Sequence, residues 1–442
     1  MTSPGAAGNH DIAIDTCIYA YPLVLTELTR RLSTNVLSPT RDGKAPMNQF
    51  GHAAVVISGA APDGEAVPEA DTVRSTLWFD VSREPLAIRV PDSGGRYYAL
   101  WMRDMWTHLF AVAGTRNTGT ATQIFLVVPP GWRGAPPAGA VVVPTPTMQG
   151  WIDVKVRLNG STDLPNVQRF QRALSGTPLS KWGNPYEMRG PTVNAGWDTR
   201  TPARDQIARL SAVDFLSLFS VLAGTNPPGA EDGAIVARMH RIGVVPGSFA
   251  PGGGAALDAD ALDRAWREAQ RRIAETSPDG ELRDGWRRDA TSSEADTADY
   301  LHRAAIARGG LSPIPADDGI SLTADADADG RSLSSDHRYV LRFAAHELPP
   351  VRGFWSLTMY DDRHLFAANA MDRYTIGDSD EPWLNADGSL DLFIQQSPPS
   401  QSAANWLPAP RRGPFSMTLR LYWPARDVIE GRWRPPAVRR VN

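Results

Sequence analysis

One cysteine, Cys17, occurs in 442 residues, so no disulfide can close within the chain. It sits in an apolar helical stretch, which suits a buried structural thiol better than a nucleophile. Eight histidines are scattered without a His-x-His or His-x-x-x-His pair, so no transition-metal site is expected. Excess charge is also lacking. Forty-five Lys and Arg stand against 49 Asp and Glu, with no basic stripe, which argues against a nucleic-acid partner. No run of 18 apolar residues predicts a membrane span, and "MTSPGAAGNH" has no basic-then-apolar leader, so the expected compartment is the cytoplasm. Gly-x-Ser-x-Gly, Gly-x-Gly-x-x-Gly and P-loop motifs are missing, so neither an elbow nucleophile nor a nucleotide cradle is expected, and no cofactor is predicted.

What is abundant is punctuation. With 38 Gly and 37 Pro the chain favours turns over long helical bundles, and its length suggests two or three domains. "DIAIDTCIYAYPLVLTELTRRL" has helical apolar spacing, with Pro22 expected to kink or divide the helix. From Pro46 the pattern changes to "STLWFDV", "LAIRV", "RYYALWM", "TQIFLVV" and "GAVVVPT", read as strands between turns. "RDQIARLSAVDFLSLFSVLAG", "EDGAIVARMHRIG", "DADALDRAWREAQRRIAET" and "EADTADYLHRAAIARGG" read as helices separated by "TNPPG" and "PGGG". Strands return in "HRYVLRF", "GFWSLTMY", "LDLFIQQ" and "FSMTLRLYW".

Two distant stretches share words. "THLFAVAGTRNTG" begins at Thr107 and "RHLFAANAMDRYTIG" at Arg363. One shared tetrapeptide is what chance gives, but Leu-x-Met-x-Asp precedes both, as Leu100, Met102, Asp104 and Leu357, Met359, Asp361. Arg116-Asn117-Thr118 then answers Arg373-Tyr374-Thr375. At a period of two, Tyr98, Leu100 and Met102 share one strand face, as do Trp355, Leu357 and Met359. The expected fold is mainly β with a helical insert: two jelly-roll-like antiparallel β-sandwiches, an internal duplication, joined by a helical segment. The boundaries read as a helical arm over 1–45, a first sandwich over 46–175, a helical roof over 176–312 and a second sandwich over 313–442.

The second half, with "LPPVRGFWSLTMYD", "DRYTIGD", "NADGSLDLFIQ", "NWLPAP", "LRLYWP" and "GRWRPPAV", resembles the domain-of-unknown-function family numbered 1214. The first half, with "YAYPLV", "DTVRSTLWFDVS", "GRYYALWMRDMW", "GTRNTG" and "LSKWG", is similar to its companion family 1254. The resemblance implies two jelly-roll-like barrels, a helical join and oligomers. Where relatives tend to have Asn and Tyr around Asp-Thr, this chain has Ala70 and Arg74, and it has Lys155 where they tend to carry Arg. Altered polar residues in a family site suggest an altered substrate or a lost activity.

Candidate chemistry falls on polar residues among aromatic ones. Asp71 and Asp104 are the candidate acid and base, Arg96, Arg116 and Lys155 the candidate anion holders, and Trp106 and Trp151 the candidate walls. The competing reading is structural, with Asp104 pairing Arg116 and Asp361 pairing Arg373. "DADADGRSLSSD" matches a calcium loop at Asp325, Asp327, Asp329, Gly330 and Asp336, but a hairpin turn explains it too. Three functions stay open: a cofactor-independent hydrolase, isomerase or cyclase acting on a small molecule, a carbohydrate-type ligand binder, and a jelly-roll assembly protein. The first is preferred, with a pocket between the first sandwich and its helical roof, no membrane partner and a homo-oligomeric state.

Overall fold

The computed structural model describes residues 4–53, 68–187, 191–250, 257–277, 280, 282–289, 299–311, 313–369, 371–400 and 403–441. The runs rich in Val, Ile, Phe, Tyr and Trp form strands, and the protein is mainly β with a helical layer. The "PGGG" separator lies outside the described residues.

In the first half, a five-stranded antiparallel sheet runs Phe50–His52, Thr72–Asp80, Gln149–Arg157, Tyr98–Asp104, Leu109–Gly114. A four-stranded sheet runs Val141–Pro144, Gln123–Val128, Leu86–Val90, Ser175–Pro178. Leu77, Tyr98, Leu100, Met102, Ile152 and Val154 of the first sheet pack with Ile88, Phe125 and Val127 of the second, giving one sandwich core.

In the second half, a six-stranded sheet runs Leu282–Arg283, Trp286–Arg288, Gly319–Ala324, Phe415–Pro424, Val351–Asp361, Thr375–Gly377. Its companion runs Trp406–Pro408, Leu390–Gln395, Arg338–Phe343, Arg439–Val441. Trp355, Leu357, Met359, Leu419 and Leu421 meet Leu341, Phe343, Leu392 and Ile394 in the second core. Among the described residues no sheet closes into a barrel. Pairing is antiparallel except for one edge pair in each half, Gln123–Val128 with Val141–Pro144 and Leu390–Gln395 with Trp406–Pro408, which are parallel.

The outer faces of the two large sheets are largely covered as well. Trp78 and Trp151 of the first five-stranded sheet, with Met105 and Trp106 of the turn after Tyr98–Asp104, enter a helical core, where Pro4–Thr34 packs against Ala203–Arg209, Ala212–Thr225, Gly233–His240, Ala259–Glu275 and Tyr300–Gly309. Side chains of Ser211, Asp258 and Asp299 cap three of these helices, so the stretch expected as one helix from Arg204 divides at Ser211. Pro22 does not divide the first helix, which continues through it. By length and composition Gly8–Thr34 is apolar enough to cross a membrane, and 89% of its most apolar window is buried here against the other elements. Elsewhere on the five-stranded sheet, Tyr97, Ala99 and Trp101 meet Phe354 and Tyr422 of the six-stranded sheet. The two large sheets therefore stand face to face, each with its own small sheet behind it.

The repeated aspartates do not pair with the repeated arginines. Asp104 Oδ1 accepts the backbone N–H of Trp106 and of His108, both at 2.9 Å. Asp361 Oδ1 accepts those of Arg363 and Leu365 at 2.9 and 3.0 Å. Thr107 (φ 74°) and His364 (φ 58°) occupy the left-handed corner of each turn. A carboxylate at a strand end is closer to these donors than to a distant guanidinium, so Arg116 pairs with Asp318 and Arg373 reaches Asp380 and the carbonyls of Ala403 and Ala404. In the Asp325–Asp336 stretch, Asp327 accepts the N–H groups of Asp329 and Arg331, and Asp329 pairs with Arg331, contacts that fold a turn.

Candidate functional site between the large sheets

In Phe415–Pro424, Met417, Leu419 and Leu421 fill the core, which turns Thr418, Arg420 and Tyr422 to the opposite face. The neighbouring strand does likewise with Ser356, Thr358 and Tyr360, and the register places Ser356 beside Arg420 and Tyr360 beside Ser416. Across the interface, Asp71 lies just before Thr72–Asp80, while Lys155 opposes Arg74 on the paired strand. Two polar faces thus meet away from bulk water.

Their contacts form one cluster. The Ser356 hydroxyl donates to Asp71, and Tyr422 Oη donates to its other oxygen at 3.4 Å. Lys155 Nζ bonds Glu69 at 2.5 Å, Arg420 lies 3.9 Å from the same carboxylate, and Thr72 donates to Glu69 as well. Arg420 also reaches Thr358 Oγ1 at 3.3 Å, and Tyr360 Oη donates to the Pro68 carbonyl at 2.6 Å. Lys155 sits over Trp101, and Arg420 over Tyr360. Asp71 and Arg420 are buried, whereas Glu69 keeps 19% of its side chain exposed and Lys155 14%.

The two carboxyls move in opposite directions. Burial pushes Asp71 up, Arg420 pulls against it, and the Glu69 charge adds to the rise. Burial would raise Glu69 too, but Lys155 and Arg420, with hydrogen bonds from Lys155 and Thr72, outweigh it and hold the pKa at about 2. Burial raises the Tyr360 phenol to about 12 and Tyr422 well above its usual value. Arg420 stays a cation, because Tyr360, Glu69 and Asp71 outweigh its desolvation.

Of the seven residues singled out from sequence, Asp71 and Lys155 come together here. Trp151 lies on the same strand face, its Nε1 donating to Asp153 Oδ2 at 3.1 Å, while its ring belongs to the helical core. Arg96 binds Asp163 and the Arg157 carbonyl at another edge. Arg116 and Trp101 hold Asp318 at 2.5 and 2.7 Å, bridging the two halves. Trp106 packs under the helices with Nε1 on the Asn226 carbonyl. Asp104 fixes its turn and lies 3.3 Å from His108 Nδ1, while Arg303 Nη2 donates to His108 Nε2 at 2.6 Å. The expected helical roof covers Trp106 and Trp151, and the second sandwich, not that roof, covers Asp71.

Sequence reasoning missed Glu69, Ser356, Arg420 and Tyr422. A signal existed: polar residues at alternate positions in "FWSLTMY" and "LRLYW" mark a polar strand face, which reads as solvent-facing until a second sheet is known to cover it. Among the described residues no group of three or more His, Cys, Asp or Glu could hold a metal ion.

Sheet order and helical layer define a class of two-sandwich, mainly β proteins. The model described as "Protein of unknown function (DUF1254)" matches residues 47–178, and that described as "Protein of unknown function (DUF1214)" matches 318–426. The chain belongs to these paired families. A crystal structure of the VPA0106 protein from Vibrio parahaemolyticus is 23% identical, with a TM-score of 0.74 over 98% of this chain and 100% of that one, and shares the fold. An uncharacterized protein from Burkholderia cenocepacia is 10% identical, with a TM-score of 0.43 over 99% of this chain and 94% of that one. No curated protein matches the sequence.

Proposed function

We propose that the chain is an enzyme that acts on a small molecule by proton transfer, of the hydrolase, isomerase or cyclase type, at the cluster between the large sheets. The observation that carries this reading is the pair of neighbouring carboxyls displaced in opposite directions, Asp71 upward and Glu69 down to about 2. A proton donor works best with a pKa near the working pH, so Asp71 is the group that exchanges the proton. Glu69 stays ionised and holds Lys155, while Lys155 and Arg420 supply positive charge for an oxyanion. Trp101 and Tyr360 supply flat apolar walls.

The test is a panel of chromogenic esters, lactones and cyclic amides, assayed from acid to neutral pH. Turnover that is lost in Asp71→Asn, in a variant that still melts cooperatively, supports the reading. A folded wild-type protein inactive on the whole panel, or turnover that survives in Asp71→Asn, counts against it. A structural reading rests on one observation, that the Ser356–Asp71 bond joins the two halves. It predicts a lowered melting temperature in Asp71→Asn instead.

The duplication reading belongs here too: the two sandwiches are copies of one jelly-roll-like unit. It is supported by the shared strand order, with Gln149–Arg157 and Phe415–Pro424 each beside a Leu-x-Met-x-Asp strand that is itself one in from the sheet edge, and by the matching turns after Asp104 and Asp361. Superposed crystal coordinates should bring Asp104 onto Asp361 and Tyr98 onto Trp355. Strands of opposite sense at these places would refute it.

A further inference from the structure

A second place in the molecule has the makings of a ligand site and shares no residue with the inter-sheet cluster. Where the first helix ends, a cleft of about 340 Å³ opens between it, the segment before Phe50–His52, Tyr186 and residues 191–197. That volume is at the small end of ligand pockets. Its apolar walls are Met47, Tyr186, Pro191 and Trp197.

One side chain sets its charge. Arg30 Nε and Nη2 grip Glu27 at 2.7 and 2.8 Å, and Arg31 Nε binds the same carboxylate at 2.6 Å. Two guanidinium groups thus share one buried carboxylate, leaving one positive charge over. Among the described residues no acidic side chain lines the cleft. Arg30 Nη1 has a thioether neighbour, Met47 Sδ at 3.8 Å, a weak acceptor for a charged donor. Both guanidinium groups also stack on Trp197, at 5.5 and 5.1 Å from its centroid, which fixes where the charge sits.

The end of a helix ordinarily repels an anion, because its last carbonyls point outward. Here those carbonyls are occupied. Thr34 Oγ1 donates to the Arg30 carbonyl, Asn35 N to Arg31, Ala45 N to Ser33 and Val36 N to Thr34. The two asparagines on the lining are committed as well. Asn35 exchanges two bonds with Asn194, clamping the loop to the helix, and Asn48 exchanges two with Asp80. What faces the space is a guanidinium edge between flat apolar walls.

We propose that this cleft binds a small planar carboxylate, an aromatic or heteroaromatic acid whose carboxyl meets Arg30 Nη1 and whose ring lies against Trp197 and Tyr186. The probes are benzoate and phenylacetate, with benzamide as the uncharged isostere and benzylamine as the opposite charge. Calorimetry and tryptophan fluorescence on the full chain are the readouts. Saturable binding of the two acids, at least tenfold weaker binding of benzamide and none of benzylamine are expected. Arg30→Gln should weaken benzoate tenfold or more, and Trp197→Leu should weaken it while removing the fluorescence response. Should Arg30→Gln fail to fold, the comparison of benzoate with benzamide on the wild-type protein still decides. Equal affinity for acid and amide, benzoate binding unchanged in Trp197→Leu, or no saturation by about 10 mM of either acid overturns the proposal.

Discussion

Asp71 and Glu69 give the clearest residue-scale expectations, because their displaced pKa values make stability depend on pH in opposite senses. Glu69 titrates at about 2 in the fold, against roughly 4.3 in an unfolded chain, so its contribution is complete above about 4 and is lost as pH falls toward 2. Asp71 is raised, so its contribution is complete below about 3.9 and is lost as pH rises through the folded value. Glu69→Gln should therefore lose about 2–3 kcal/mol at neutral pH, less than a fully buried pair because Glu69 keeps 19% exposure. That deficit should shrink in acid. Asp71→Asn should gain stability over wild type at neutral pH and lose the advantage as pH falls below about 4. Urea midpoints measured across pH check both, and parallel curves for the two variants would show that the carboxyls do not oppose each other. Only half of this pair was visible in the sequence. Asp71 stood out because it opens a strand, whereas Glu69 looked like one more acid in a polar loop, and its partners Lys155 and Arg420 come from 86 residues later and from the far half.

At the scale of elements, turns and strands were legible where local chemistry decides them. Leu86–Val90 falls where "LAIRV" was read, and Asp258 and Asp299 cap helices whose acidic starts were visible. Leu109–Gly114 escaped, hidden in the repeated His-Leu-Phe-Ala. The repeat itself carries a one-residue slip. Thr107, not His108, takes the corner that His364 takes, so the matching tetrapeptides do not sit at matching places. This yields an expectation. His364 is exposed and pays the left-handed cost of an L-residue, so His364→Gly should stabilise the second half by about 0.5–1 kcal/mol. Thermal denaturation tests it, and a fall in melting temperature would mean that the histidine side chain outweighs its backbone.

At the scale of the whole molecule, what sequence could not convey was which faces are covered. Tyr97, Ala99 and Trp101 alternate with core residues and resemble an exposed face, yet a second sheet buries them. Arg116 shows how the halves are fastened. It meets Asp318, 2% exposed, whose other oxygen holds Trp101 Nε1, and Arg157 reaches Asp378 in the same interface. Arg116→Ala strips a buried carboxylate of its cation and should cost about 3 kcal/mol, with faster amide exchange along Tyr98–Asp104. A loss below about 1 kcal/mol would place the pair among surface bridges.

The helix Pro4–Thr34 is made before its helical packing partners, which lie between Ala203 and Gly309. From Thr34 to Gly309 the ribosome needs roughly 14–55 s at ordinary elongation rates. Through that interval the first sandwich can already form and offer Trp78, Trp106 and Trp151, while the rest of the helix's apolar surface still waits for its helical partners. That surface is then open to whatever meets nascent chains. Vectorial synthesis thus leaves Pro4–Thr34 incompletely seated until the helices that follow it in the chain have been made.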